Sequence, residues 1–279
     1  MLAGYFVLIP RVLTALVMLG ILIPVVFAAP QWLWGGASLL ILAIAFKEWS
    51  ALLPGPRPGL MAWSVGLLVG LLVIGLESTS NLPPFLATAA YVGALIFWIA
   101  WAPRRLVTHL CHGGGRLLAL LLLAACWLAL LELRERGAWI LVIAMAIVWV
   151  ADIAAYFVGR ATGRHKLAPA ISPGKSWEGV VGGVLAVCGI GLWLAKAPFM
   201  AGSLPAQLYL SLGPAMTALA LAALAGLSVV GDLHESLLKR QAGVKDSGRL
   251  LPGHGGFLDR IDALVPTMPV VALLHQVLR

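Results

Sequence analysis

Apolar residues run through this sequence in long, unbroken stretches rather than in alternation with polar ones. Each stretch is about 20 residues long, which as a helix is enough to cross the ~30 Å hydrocarbon layer of a membrane. Unbroken runs favour helices over barrel strands, because barrel strands alternate apolar and polar positions. The pattern predicts about nine membrane-spanning helices, at 11–29, 32–53, 60–77, 84–102, 116–132, 137–158, 177–197, 209–230 and 261–277.

Composition agrees with this pattern. The chain is 61% hydrophobic and 11% charged, whereas about 25% of residues are charged in soluble globular domains. We therefore expect an all-α, polytopic integral membrane protein. The first run is expected to remain as a helix, because Pro30 follows Ala28-Ala29 where a signal peptide would be cleaved. Residues 1–136 supply transmembrane helices without a motif, and residues 137–279 form a second transmembrane half that carries the polar motifs.

Lysines and arginines concentrate in alternate loops. If the N-terminus lies in the cytoplasm, 15 of the 19 basic residues face the cytoplasmic side. Because cytoplasmic loops are enriched in Lys and Arg, this orientation is the predicted one, with the C-terminus outside. The net charge of +8 then reflects loops that face anionic lipid rather than binding to nucleic acid. The outer side keeps Arg134, Arg136, Lys196 and Arg279.

The first unusual polar residue of the second half is Asp152. It precedes Arg160 by eight positions, which places it about 12 Å into the predicted helix. An ionisable group at that depth is costly and indicates a functional site. A structural ion pair with an arginine of a neighbouring helix is the alternative, and the sequence leaves both open.

Residues 172–176 read Ser-Pro-Gly-Lys-Ser. They do not form a nucleotide-binding P-loop, because position 169 is Pro where that motif requires Gly. Lys175 stands just before a predicted helix, where an anion can bind. Ser176 and Glu178 fit a helix-capping pattern as well as a substrate-binding role, and both interpretations stay open.

Ten of the 30 charged residues fall between positions 231 and 262. Four polar residues there follow i, i+3, i+4, i+7 spacing and share one face of a predicted helix. A glycine-rich loop comes next, followed by further charges before the last apolar run. The helix face comprises Asp232, Glu235, Ser236 and Lys239; the loop contains Lys245, Asp246 and Pro252–Gly256; the final charges are Asp259, Arg260 and Asp262.

These residue types indicate a particular chemistry. Carboxylate oxygens without a cysteine or second histidine nearby suit a hard cation such as Mg²⁺. Cations and glycine-rich backbone beside them are typical of phosphoryl or nucleotidyl transfer, which depends on positioning and charge stabilisation.

The same residues carry a family resemblance. The spaced pattern of Ser236, Leu238-Lys239-Arg240, Lys245-Asp246, Pro252, His254-Gly255-Gly256, Asp259-Arg260 and Asp262 resembles the signature of phosphatidate cytidylyltransferases, also called CDP-diacylglycerol synthases. Asp152, Ser172-Pro173, Lys175 and Glu178 are similar to that family too. The resemblance implies a reaction in which CTP and phosphatidate give CDP-diacylglycerol and pyrophosphate.

The resemblance also implies roles for individual residues. Asp232 and Asp259 match metal-binding aspartates, with Mg²⁺ as the cofactor and a second metal ion beside it. Lys239, Arg260 and His254 match positions for phosphate binding and catalysis, and Asp246 and Asp262 belong to the same catalytic signature. Candidates for substrate binding are Asp152, Ser172, Lys175, Ser176, Glu178, Ser236, Arg240, Lys245, Gly255 and Gly256. A homodimer in the inner membrane, with the active site facing the cytoplasm, is implied as well.

Other functions compete with this one. A CDP-alcohol phosphotransferase shares the Asp259-x-x-Asp262 spacing, but its motif requires Gly where position 263 is Ala. A CTP-dependent polyprenol kinase would use similar groups to transfer the terminal phosphate. A proton-coupled transporter would use Asp152 and Arg160, yet transporters place polar groups near the midplane of the membrane, and here they gather at one edge.

Overall fold

The computed structural model describes residues 16–55, 70, 83–110, 115–251, 253 and 255–278. The predicted span at 60–77 lies outside the described residues, apart from Gly70, which is helical. Arg11, Pro252, His254 and Arg279 also lie outside them, so the predictions made for these residues are not addressed by the structure.

Helices account for most of the described chain. The first helices are α1 (Leu16–Phe27), α2 (Gln31–Leu52) and α3 (Pro84–Ile96), and α3 continues through a π-helical turn into α4 (Ala102–Thr108). Then follow α5 (Gly115–Arg136), α6 (Ala138–Thr162), α7 (Trp177–Leu194), α8 (Leu204–Gln241), α9 (Leu258–Ile261) and α10 (Leu264–Val277). Outside the predicted 60–77 run, a helix coincides with each apolar run.

Six helical segments of the described chain are long and apolar enough to cross a membrane. They comprise α2, the continuous α3–α4 segment, α5, α6, α7 and α8. The prediction of a polytopic, helical membrane protein is therefore confirmed in this coarser form. The predicted number of nine spans and the orientation stay predictions.

The run at 261–277 differs from the predicted span. Its helix α10 has 14 residues, about 21 Å at 1.5 Å per residue, which is shorter than the hydrocarbon layer. Leu264, Val265, Met268, Val271 and Ala272 are all buried, because α10 packs against α3, α5 and α8 in the interior of the bundle. An apolar helix can face either lipid or other helices, so composition alone could not distinguish a membrane span from a helix buried in the bundle.

Helices α6 and α7 cross unusually closely. A Cβ atom added to Gly179 would lie 2.7 Å from the carbonyl oxygen of Ala155, and one added to Gly183 would lie 2.7 Å from that of Ala151. Small residues that let backbones approach are characteristic of helix contacts in membranes. This contact fixes α7, and with it the segment that precedes it, against α6.

The segment between α6 and α7 departs from the all-α prediction. Lys166–Ala168 (β1) and Ser172–Ser176 (β2) form an antiparallel hairpin in which Lys166 pairs with Ser176 and Ala168 with Ser172. Short extended segments outside the membrane carry no apolar run, so the hydrophobic pattern did not reveal them. The hairpin holds Lys175 in a defined position beside α8.

Helix α8 is the longest element, with 38 residues. Its backbone breaks at Gly213, which has φ 78° and ψ 175°, and Pro214 follows. The part after the break spans 28 residues, or about 42 Å, which exceeds the ~30 Å hydrocarbon layer. Its C-terminal turns therefore carry Asp232 to Lys239 toward one edge of the bundle.

Candidate active site

The C-terminal turns of α8 present the predicted polar face. The hydroxyl of Ser236 donates to Asp232 Oδ1 at 3.2 Å, and Lys239 Nζ lies 2.6 Å from Glu235 Oε2. Both pairs are four residues apart, as expected for neighbours on a helix. The prediction that these four residues share one face of a helix is confirmed.

The β hairpin brings a second lysine to this face. Lys175 on β2 lies 2.6 Å from Asp232 Oδ2, and both side chains are partly exposed. Asp152 on α6 interacts electrostatically with Asp232 and Lys175. Its partners in the described chain are thus site residues rather than an arginine of a neighbouring helix.

Asp259 is the most heavily hydrogen-bonded carboxylate of the site. Its Oδ1 lies 2.6 Å from Lys239 Nζ, while its Oδ2 accepts from the Ser247 amide at 3.0 Å, the Ser247 hydroxyl at 2.9 Å and the Gly256 amide at 2.7 Å. Although burial alone would raise the pKa of Asp259, hydrogen bonds from Lys239 and Gly256 hold this pKa below its ordinary value. Asp259 is therefore ionised at neutral pH.

Glycine is required where the loop passes Asp259. Gly255 has φ +79°, and a Cβ atom there would lie 2.7 Å from Asp259 Oδ2. Such a backbone conformation favours glycine. Leu251 and Gly255 form an isolated antiparallel bridge that closes the loop. The glycine-rich segment thus brings backbone amides close to a carboxylate, as the sequence suggested.

Asp262 lies between α9 and α10 and accepts from the Ala263 amide at 2.7 Å. Burial raises the pKa of Asp262 above its ordinary value, and the Asp232 carboxylate raises it further. Lys175 and Lys239 act in the opposite direction. Asp262 therefore belongs electrostatically to the same cluster as the carboxylates of α8.

Carboxylates outnumber lysines in this cluster. Its members are Asp152, Asp232, Glu235, Asp259 and Asp262, with Lys175 and Lys239. The excess of acceptor-only oxygens over ammonium groups fits the binding of a divalent cation. Across the described ranges, however, no three carboxylate, imidazole or thiol groups are arranged as a ready metal site. The two predicted metal ligands, Asp232 and Asp259, are each paired with a lysine.

Several candidates lie beside this cluster rather than in it. Ser176 caps α7 by accepting from the Gly179 amide at 3.2 Å, which favours the capping interpretation. Glu178 Oε1 lies 2.6 Å from His165 Nδ1, and Arg240 donates to the Ile171 carbonyl at 3.1 Å. Ser172 is half-buried on β2, whereas Lys245, Asp246 and Arg260 are exposed.

Three residues of this region were not assigned a role from the sequence. Glu235 was predicted to lie on the polar helix face, and its four-residue spacing to Lys239 is the signal for the ion pair that the two form. Ser247 contacts Asp259 through both its amide and its hydroxyl, but a lone serine in a polar loop carries no signal. Glu48, on α2, accepts a hydrogen bond from the Leu258 amide and lies 3.3 Å from the Ser247 hydroxyl, and nothing in the local sequence indicates a contact about 200 residues away.

Comparison with known proteins adds independent information. A model of the cytidylyltransferase family matches residues 9–278. A phosphatidate cytidylyltransferase of Pseudomonas aeruginosa is 37% identical over 276 residues, covering 95% of both chains. One of Brucella suis is 38% identical over 263 residues, covering 88% of both chains. One of Haemophilus influenzae is 45% identical over 139 residues, which are 50% of this chain and 46% of that protein.

The family resemblance predicted from the motif is thereby confirmed over nearly the whole chain and not just over the second half that carries the motif. The matched residues include α2, and so Glu48, as well as the hairpin and the polar end of α8. Similarity of this extent makes this chain a member of the cytidylyltransferase family.

Proposed function

We propose that this protein transfers the cytidylyl group of CTP to phosphatidate, giving CDP-diacylglycerol and pyrophosphate. The full-length relatives from Pseudomonas aeruginosa and Brucella suis are named for this activity. The observation that carries the proposal is the carboxylate–lysine cluster at the C-terminal end of α8, where Asp232, Lys239 and Asp259 converge with Lys175. Carboxylates that can hold a divalent cation, beside ammonium groups that can bind phosphate, suit a reaction between two phosphate-bearing substrates.

The position of the cluster suits a water-soluble and a lipid substrate. It lies at one end of the long helix α8, where an apolar span gives way to polar loops. CTP would reach it from water, and phosphatidate would reach it from the adjacent lipid leaflet. A charge cluster at the membrane edge can therefore bind both substrates at the same time.

The nucleophile in this reaction is the phosphomonoester oxygen of phosphatidate. Its second pKa is about 6, as in other phosphomonoesters, so it is largely ionised at neutral pH without a strong general base. This oxygen attacks the α-phosphorus of CTP, the bond from the α-phosphorus to the bridging oxygen breaks, and pyrophosphate leaves. The main barrier is the repulsion between two anionic substrates.

Cationic groups of the chain would reduce that repulsion. Lys175 and Lys239 each lie 2.6 Å from a carboxylate of the cluster, and their ammonium groups would bind phosphate oxygens there when Mg²⁺ takes these carboxylates. Arg260 is exposed beside Asp259, and the loop amides of Ser247 and Gly256 form a rigid frame around that carboxylate. These amides hold Asp259 in a fixed position, and groups fixed in this way stabilise charge without reorganisation during the reaction.

Asp232 and Asp259 would hold Mg²⁺, and a second metal ion would use neighbouring carboxylates of the cluster. When bound, the cation neutralises triphosphate charge and polarises the phosphoryl group under attack. The excess of carboxylates over lysines supports this assignment. Because each aspartate is paired with a lysine, Mg²⁺ and the two ammonium groups compete for the same oxygens.

We further propose that the protein is a homodimer in the inner membrane with its active site toward the cytoplasm. The concentration of Lys and Arg in the loops around the cluster supports this orientation, since cytoplasmic loops carry the excess of basic residues. CTP is also made and used in the cytoplasm, so a site on the other side would lack its substrate.

The direct test is a reconstituted reaction. Purified protein in detergent is incubated with CTP, phosphatidate and Mg²⁺, and the lipid and aqueous products are identified by mass spectrometry. CDP-diacylglycerol and an equal amount of pyrophosphate are expected. Replacing phosphatidate with diacylglycerol should abolish product, because the nucleophilic phosphate is missing. Product formed equally well from diacylglycerol would contradict the proposal.

A further inference from the structure

Glu48 connects the motif-free first half of the chain to the candidate site. It lies near the end of α2 and is only 6% exposed. Its Oε2 accepts from the Leu258 amide at 2.8 Å and lies 3.3 Å from the Ser247 hydroxyl. A single buried carboxylate thus contacts both Ser247, within the loop that joins α8 to α9, and Leu258, the first residue of α9.

The loop backbone closes directly around this carboxylate. A Cβ atom added to Gly256 would lie 2.5 Å from Glu48 Oε2, and one added to Gly248 would collide with Glu48 Oε1. Only glycine therefore leaves room for the Glu48 side chain at these two positions. The fit between α2 and the loop is specific in shape as well as in hydrogen bonding.

The same loop atoms hold Asp259. Ser247 contacts Glu48 through its hydroxyl and Asp259 through its hydroxyl and amide. Gly256, which packs on Glu48, donates its amide to Asp259 at 2.7 Å. Glu48 is therefore one residue removed from the carboxylate proposed to bind metal, and it contacts that carboxylate's two loop partners.

The burial of Glu48 is costly if its role is packing alone. Among the described residues, its Oε1 has no hydrogen-bond partner, and burying a carboxylate with incomplete hydrogen bonding destabilises a fold. A charged acceptor, however, forms hydrogen bonds about twice as strong as a neutral one. Burial of Glu48 therefore costs stability, whereas its hydrogen bond to Leu258 holds the loop in place.

We propose that Glu48 is a positioning residue, which holds Ser247, Gly256 and Leu258 and thereby fixes Asp259 for cytidylyl transfer. The link to catalysis rests on the proposed function, whereas the hold on the loop does not. A group displaced by about 1 Å can lower a rate about 100-fold. Loss of Glu48 should therefore lower kcat strongly although its side chain does not contact the substrate.

The test compares variants at Glu48 with a matched buried glutamate. Glu132 is also buried and bonds Tyr91, Arg136 and Gln276. It lies beside the start of α2, where Gln31 donates to the Leu131 carbonyl, about 25 Å along the helix axis from Glu48. Glu132→Ala reports the general cost of removing a buried glutamate without touching the loop.

Two readouts are measured on purified full-length protein. Hydrogen exchange followed by mass spectrometry reports the amides of Ser247, Gly256 and Leu258, and steady-state kinetics reports kcat and KM for CTP per folded molecule. Glu48→Ala should accelerate exchange in the loop and lower kcat about 100-fold with little change in KM. Glu48→Gln keeps an acceptor for Leu258 and should retain much of both. Glu132→Ala should change neither.

Each other outcome has a defined meaning. Unchanged loop exchange in Glu48→Ala overturns the proposal, and so does faster exchange with an unchanged kcat. If Glu48→Ala does not fold, Ser247→Ala takes its place, since it removes the hydroxyl between Glu48 and Asp259 and should loosen the same amides. Accelerated exchange in a protein whose wild type lacks cytidylyl transfer would reject the proposed function while supporting the hold on the loop.

Discussion

Individual side chains define the site through two groups of ion pairs. Asp232 is bound by Lys175 from the hairpin, and Asp259 is bound by Lys239 from α8, each at 2.6 Å. The two groups differ in burial: Lys239 is 13% exposed and Lys175 is 24% exposed. Because of this difference, the two lysines should contribute unequally to stability, although both are proposed to bind phosphate.

Replacing the two lysines should have unequal effects on stability. Lys239→Met leaves Glu235 and Asp259 as buried carboxylates without their cation, and breaking a buried pair costs about 3–5 kcal/mol. Lys175→Met removes a more exposed pair, which is worth about 0–1 kcal/mol. Thermal unfolding in detergent measures the difference, while both variants are expected to lose cytidylyl transfer. Equal melting temperatures for the two variants would contradict the assigned burial roles.

The aspartates are tested by substitutions that keep their shape. If Asp232 and Asp259 hold Mg²⁺ as proposed, Asp232→Asn and Asp259→Asn each remove a ligand charge, and the contribution of the metal to the transition state is several kcal/mol. Activity should fall about 100-fold or more at ordinary Mg²⁺. Glu135→Gln, near the C-terminal end of α5 and outside the carboxylate–lysine cluster, is the matched control and should keep wild-type activity. Near-normal turnover by Asp259→Asn would refute its assignment as a metal ligand.

Much of the residue-scale arrangement follows from helix geometry. The shared face of Asp232, Ser236 and Lys239 is a consequence of 3.6 residues per turn, so spacing alone predicted it. Glu48 could not be predicted, because its contact with Leu258 depends on how α2 packs. The contact of Glu178 with His165 also depends on a hairpin that the hydrophobic pattern did not show.

At the scale of elements, helices α6 and α7 are in close contact through glycines of α7. Gly183 has no room for a methyl group, because a Cβ atom would lie 2.7 Å from the Ala151 carbonyl oxygen. Gly189, on the same helix, has no atom within 4 Å of such a Cβ. The two glycines therefore form a matched pair for testing this contact.

Gly183→Ala should destabilise the protein and Gly189→Ala should not. Overpacking in a tight contact costs about 1–3 kcal/mol, whereas alanine in an open helix position is favoured over glycine by up to about 1 kcal/mol. Unfolding of both variants in the same detergent measures this contrast. A Gly183→Ala variant as stable as Gly189→Ala would show that the two helices are farther apart than described.

The break in α8 and the burial of α10 show which features of the helices the sequence pattern can and cannot predict. The Gly213-Pro214 dipeptide is a recognisable helix-breaking signal, and the predicted span at 209–230 ran across it. The helix α10 was predicted as a membrane span because its residues are apolar. Its interior position depends on the packing of α3, α5 and α8 around it.

For the whole molecule, the proposed orientation places the loop after α8 in the cytoplasm. Val244 is 41% exposed in that loop, and Ala201 is exposed in the opposite loop between α7 and α8. In a background with Cys111, Cys126 and Cys188 replaced by Ala, a cysteine substituted at position 244 should react with an impermeant reagent only from the cytoplasmic side. Ala201→Cys should react only from the outer side. The reverse pattern in sealed, oriented vesicles would invert the topology.

For the whole molecule, the identity of the reaction depends on which bond of CTP breaks. A nucleotidyl transferase moves the α-phosphate into lipid, whereas a lipid kinase with the same metal and cation groups would move the γ-phosphate. Topology and charge clustering fit either reaction, so the position of a label in the product is the decisive observation.

The most direct measurement therefore uses purified protein, phosphatidate and Mg²⁺ with CTP labelled at either the α- or the γ-phosphate. Label from the α position should enter the chloroform-soluble lipid, and label from the γ position should leave as water-soluble pyrophosphate. Added pyrophosphate should drive the product back to CTP. Label from the γ position in lipid, or no lipid label from an active preparation, would contradict cytidylyl transfer.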